Sequence, residues 1–156
     1  MGGVFFLPYV QWNNVRVIVT LSYELLMGQG ELIEEELTRS VISGFFAVYN
    51  EMGFGFGEHI HVRALSRELG SRGHLVAREV EAPVFYKGEY LCTQRLDMVV
   101  DRTLIVEAKS SELLPPTAMR QLQNYLRCTN LEIGLLLHFG PEPKFYRRVL
   151  PNSKKQ

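Results

Sequence analysis

The apolar period of this chain changes at Gly73, and that change limits the fold more than any other feature. Before it, Leu37, Val41, Phe45, Val48 and Met52 recur every three or four residues, with Ile42, Phe46 and Tyr49 widening the stripe. This spacing predicts an amphipathic helix with a broad buried face from Glu31 to Met52. Glu31, Glu34, Glu35 and Glu36 suit the positive N-terminal end of that helix, and Gly53 stops it. GFGFG follows as a flexible connector, then a second helix from about Glu58 to Gly70. After Gly73, Val76, Arg78, Val80, Ala82 and Val84 alternate with Glu79 and Glu81, which is the period of a strand. Lys87-Gly88 marks a turn into a long strand from Tyr90 to Val100. A tight turn at Asp101-Arg102 leads to a strand over 103–109. Pro115-Pro116-Thr117 sets up a third helix, with Met119, Leu122, Tyr125 and Leu126 facing inward. IGLLLHF, 133–139, reads as a fully apolar strand and Lys144–Leu150 as the last one. Helix, helix, three-stranded meander, helix, strand, strand predicts one α/β domain: a central mixed β-sheet flanked by helices.

A chain of 156 residues, 46% of them hydrophobic, is long enough for one domain that buries roughly 70% of its unfolded surface. The formal net charge is zero, so no global basic field draws it to nucleic acid. A nucleic-acid partner would have to use local positions: Arg63 and Arg67, Arg120 and Arg127, or Lys144, Arg147, Arg148, Lys154 and Lys155. Cys92 and Cys128 are isolated, which argues against a disulfide framework, a zinc site or an iron–sulfur cluster. A reducing, cytoplasmic compartment is the simplest expectation. The first residues lack a basic segment and a cleavage site, Pro8 interrupts their apolar run, and Phe6 stands where myristoylation wants Ser or Thr. Arg16 and QWNN leave no apolar run of about 20 residues, so no membrane partner is expected. Residues 1–30 are expected to be an N-terminal extension with Met27 as the natural start, or to supply an extra strand over 14–23. Residues 31–150 form the domain and 151–156 a polar tail.

LIVEAKSSE, 104–112, carries the chemical question. Residues i and i+2 of a strand share a face, about 6.5 to 7 Å apart, so Glu107 and Lys109 stand side by side. They are either an ion pair at the edge of the fold or half of an active site. With a three-residue loop at Asp101–Thr103, opposed residues have numbers summing to 204 and Asp97 faces Glu107. With a two-residue loop, Asp97 sits on the other face. In the first register two carboxylates converge and repel unless a cation lies between them, a role that Mg²⁺ or Mn²⁺ fills. Lys109 can then stabilise an attacking water or the charge that develops on a phosphate. Read only as charge neutralisation, Lys109 and Glu107 make a surface pair of small energetic weight.

Arg95-Leu96-Asp97 and Glu107-Ala108-Lys109, separated by a hairpin, resemble the D…(D/E)xK core of the PD-(D/E)XK nuclease superfamily. Within it the chain resembles the bacterial and archaeal GxxExxY family over about residues 32–150. The stretches that carry this are helix 37–52, Gly55-Phe56-Gly57-Glu58, Ala64-Leu65, strand 82–89, RLD, VEAKS, QLQNYL at 121–126 and IGLLLHFG at 133–140. The resemblance implies a restriction-endonuclease-like core and a metal-dependent nuclease, with Asp97 and Glu107 as metal ligands and Lys109 as the catalytic lysine. It further implies that Glu58 helps bind the metal, and that Gln121 and Tyr125, on one helical face, line the cleft. His61 replaces the tyrosine of GxxExxY and keeps a polar contact there, or is a partly buried histidine bonded to Glu58. His138 stands where relatives have asparagine, and the four-cysteine iron–sulfur cluster of some relatives is absent. Three functions compete: a nuclease acting on DNA or RNA, a non-catalytic module binding nucleic acid or a protein, and a structural or oligomerising protein. Asp97, Glu107 and Lys109 together favour the first, while neutral charge favours the others.

Overall fold

The computed structural model describes residues 11–12, 15–16 and 35–155. Contacts divide the chain into two compact units, Met1–Leu32 and Ile33–Gln156. In the first, β1 (Gln11–Trp12) and β2 (Val15–Arg16) pair antiparallel. The rest of the expected extension or strand at 14–23 lies outside the described residues.

The second unit begins with α1 (Glu35–Met52) and α2 (Glu58–Ser71). Then come β3 (Val76–Tyr86), β4 (Glu89–Val100) and β5 (Leu104–Lys109), followed by α3 (Ala118–Cys128), β6 (Ile133–Phe139) and β7 (Pro143–Val149). A 3-10 turn at Asn152–Lys154 follows. The five strands form one sheet in the order β3-β4-β5-β6-β7. Only β5 and β6 are parallel, and α3 is the crossover that joins them. This is the expected single α/β domain with a mixed sheet. Helices α1 and α2 cover one face through Val41, Phe45, Leu65 and Leu69, which pack on Val106, Leu135 and Phe139. Helix α3 covers the other through Leu122, Tyr125 and Leu126, packed on Leu96, Ile105 and Leu136. Strand β6 is buried at every position, as a strand covered on both faces must be. Among the described residues no helix is long and apolar enough to cross a membrane.

Gly134 lets α3 approach β6 closely: a Cβ there would lie 2.6 Å from Leu122 Cδ1 and 3.0 Å from its Cγ. Leu122 is fully buried and has nowhere to retreat. Gly134→Ala should therefore cost roughly 1–3 kcal/mol in urea unfolding. An unchanged midpoint would mean that α3 can back away from the sheet.

The β4–β5 ladder pairs Met98 with Val106, Val99 with Ile105 and Val100 with Leu104, so the loop is 101–103 and the pair sum is 204. One regularity expected of the strands fails. Leu96 and Met98 are two residues apart, yet Leu96 packs on the α3 side and Met98 on the α1–α2 side. Across the ladder, Val80 and Val76 divide in the same way. Between them lies Glu79, whose φ of 52° is left-handed, and Glu79 and Asp97 are skipped in a ladder that shifts register again between Val84 and Phe85. The β3–β4 ribbon therefore turns over at Glu79 and Asp97, and its far half exposes Phe85, Tyr86, Tyr90 and Leu91.

Candidate active site

The turnover places Asp97 where β4 leaves its neighbour. The ladder to β5 stops at Met98, and Asp97 Oδ2 accepts the next free main-chain donor, Ala108 N–H, at 2.9 Å. Leu104, Val106 and Ala108 belong to the α1–α2 side, so alternation turns Glu107 and Lys109 toward α3. Glu107 is 1% exposed. Its Oε1 accepts from Lys109 Nζ at 2.6 Å, whereas its Oε2 is buried without a hydrogen-bond partner among the described residues. Burial pushes the Glu107 carboxyl up to about 7, and the Asp97 charge adds to this against the opposing effect of Lys109. Burial alone would lower the Lys109 ammonium, but Glu107, Glu58 and Asp97 together hold it above its ordinary value. It remains a cation.

Glu58, in the first turn of α2, reaches this group through Lys109, with 3.8 Å between Oε1 and Nζ. Among the described residues no three His, Cys, Asp or Glu side chains gather closely enough to form a metal-sized cluster. Lys109 lies between Glu58 and Glu107, ion-paired with both carboxylates. From α3, Gln121 Nε2 donates to the Tyr125 hydroxyl at 2.5 Å. Burial raises the Tyr125 phenol, with Glu107 and Asp97 close enough to add to the effect. The charges of Glu107, Asp97 and Lys109 all act on Tyr125, so its hydroxyl lies within the space their charges reach.

His61 is not part of that space. It is 0% exposed, stacked on Phe139 at 4.2 Å between ring centroids. Its Nε2 donates to Gly53 O at 3.0 Å, and its Nδ1 lies 3.1 Å from Ser110 Oγ, so it neither lines the cleft nor bonds to Glu58. Ser110 Oγ donates to Phe56 O at 2.6 Å. His138, paired with Lys109 in the β5–β6 ladder, donates from Nε2 to Ser111 O at 2.8 Å. The two histidines thus fasten the segment that follows Lys109. Sequence reasoning missed this role, because the partners lie 27 and 49 residues away.

A cavity of about 520 Å³ opens between α3 and the far half of the β3–β4 ribbon. Gln121 and Tyr125 belong to its wall, and Val84, Gln94, Arg120, Asn124 and Arg127 complete most of the lining.

Comparison with known proteins bears on this geometry. The family model described as the PD-(D/E)XK nuclease superfamily matches residues 35–149. The solved structure described as "Crystal structure of SSO0001" is 25% identical, with a TM-score of 0.49, over 76% of this chain and 60% of that one. No curated protein matches the chain.

Proposed function

Because this chain belongs to the PD-(D/E)XK nuclease superfamily, we propose that it hydrolyses phosphodiester bonds of DNA or RNA with the help of Mg²⁺ or Mn²⁺. The observation that carries the reading is the buried Glu107, its Oε2 unpartnered, between the Asp97 charge and the Lys109 ammonium. A buried acceptor without a donor costs roughly 1–3 kcal/mol, more when charged, and a cation is the partner that removes the cost. The residues present therefore fit a divalent ion, with Asp97 and Glu107 as its holders. When bound, the ion supplies Lewis-acid polarisation of the phosphate and of a water. Lys109 keeps its proton and offers positive charge where negative charge grows on the phosphate oxygens. Glu58 steadies that ammonium from the α2 side. Gln121 orients the Tyr125 hydroxyl, which keeps its proton and bounds the cleft.

Within the superfamily the reading extends to the GxxExxY family, on the strength of Gly55, Glu58 and the helix that carries Gln121 and Tyr125. A cytoplasmic setting suits it, since Cys92 and Cys128 are free thiols, and the resemblance to a bacterial and archaeal family suits a prokaryotic one. Residues 1–30 act as an extension outside the nuclease domain. A protein starting at Met27 should keep its melting temperature within a few degrees, and a loss of cooperative unfolding would refute that boundary. The functional test uses purified protein with plasmid, linear duplex and single-stranded substrates, with Mg²⁺ or Mn²⁺ and with EDTA. Metal-dependent cleavage is expected. Cleavage that survives EDTA, or none on any substrate, counts against the reading.

A further inference from the structure

We infer that the cavity between α3 and the β3–β4 ribbon receives an unpaired nucleotide next to the scissile phosphate, so that the substrate class is single-stranded nucleic acid. This deepens the nuclease reading and rests on it. The cavity shares Gln121 and Tyr125 with the candidate site, and these two side chains form the wall between its occupant and the carboxylate centre. Its volume of about 520 Å³ lies in the range that holds one small organic ligand. A paired base could enter only by leaving its stack, which an unpaired strand does without that cost.

The lining chemistry agrees. Arg120 and Arg127 are exposed on α3, and neither guanidinium has an ion-pair partner among the described residues. They are seven residues apart, two helical turns and about 10 Å along one face, so both can meet the same strand. Guanidinium forks match phosphate oxygens, and no carboxylate lines the cavity to oppose them. Gln94 and Asn124 place side-chain amides on its walls, groups that read base edges once these are unpaired. Beyond the cavity the ribbon ends in Tyr86 and Tyr90, 61% and 59% exposed, rings on which unpaired bases can stack. In a chain of zero net charge, this is a local cationic site rather than a general field.

The test is fluorescence anisotropy in EDTA with a labelled 12-nucleotide single strand, as DNA and as RNA, and with the same DNA as a duplex. At least one single strand should bind tenfold or more tightly than the duplex. The double variant Arg120→Ala/Arg127→Ala should weaken that binding at least tenfold and reduce the salt slope by about 1.4, for two phosphate contacts at about 0.7 each. Both side chains are exposed, so the variant should keep the wild-type melting temperature. In a Cys92→Ser background the single strand should slow thiol labelling of Cys128, which lines the cavity. Equal affinity for the duplex, or a double variant within twofold of wild type, overturns the assignment. Asp97→Asn separates the two readings, because it should lose cleavage yet bind the strand no worse than wild type. If it does so while the arginine variant binds normally, the cavity assignment falls and the nuclease reading stands. If wild type neither binds nor cleaves any nucleic acid, both fall.

Discussion

Lys109→Ala should lower the rate of phosphodiester cleavage roughly 10²–10³-fold, the usual loss when one preorganised group facing the transition-state charge is removed. The loss should appear in kcat more than in KM, because the ammonium matters most when negative charge has developed. Part of the effect passes through Glu107. Without Lys109 its carboxyl loses the hydrogen bond and charge that oppose burial, so it holds its proton to still higher pH and is a poorer metal ligand. The pH–rate profile of Lys109→Ala should therefore shift upward as well as fall. Asp97→Asn is the companion variant. Its amide oxygen can still accept Ala108 N–H, so the fold should survive while the charge is lost. A Lys109→Ala enzyme retaining more than a tenth of wild-type turnover at every pH would remove the lysine from the mechanism.

In metal-free protein, Glu107→Gln should be the more stable form at pH 8, by on the order of 1–3 kcal/mol. The folded protein holds the Glu107 proton up to about pH 7, whereas the unfolded chain releases it near 4.5. Between those values the folded state binds more protons, so wild-type stability should fall as pH rises from about 4.5 to about 7. Glutamine, neutral throughout, lacks this slope, and the two proteins should converge near pH 4.5. Divalent metal acts in the opposite sense. It takes the ionised carboxylate of the folded state, so millimolar Mn²⁺ should raise the melting temperature of wild type more at pH 8 than at pH 6, with little effect on the variant. Urea unfolding across this range in EDTA is the measurement. A wild type whose stability is flat from pH 5 to 8 would show that burial does not raise the Glu107 carboxyl.

Most of the fold can be read from the chain because its period is local. The stripe Leu37–Met52 and the meander from Val76 to Lys109 each repeat a spacing that neighbouring residues enforce. The chain leaves two registers open for Asp97, and the three-residue loop at 101–103 is what selects the one that brings it toward β5. The turnover at Glu79 and Asp97 is not legible in this way. Glu79 is an ordinary strand residue by type, and its left-handed φ answers to what lies above and below the ribbon. Val76, Val80 and Ala82 therefore look like one face and are not. His61 escapes for a related reason: its burial depends on Phe139 and Ser110, far along the chain. Glu58 is readable as a neighbour of the site but not as the partner of Lys109, because one hydrogen-bond length decides between the two.

The bond from Asp97 to Ala108 N–H gives the site a built-in gauge. Most strand amides in a sheet like this one face a carbonyl, whose charge is the same in every state of the protein. This one faces a carboxylate whose charge would be altered by a proton or a cation. The nitrogen and proton resonances of Ala108 should therefore move with the electrical state of the centre, and by more than those of Val100 and Leu104 at the far end of the ladder. A single backbone signal would then register occupancy without turnover, substrate or label, and would do so in a variant that has lost all activity.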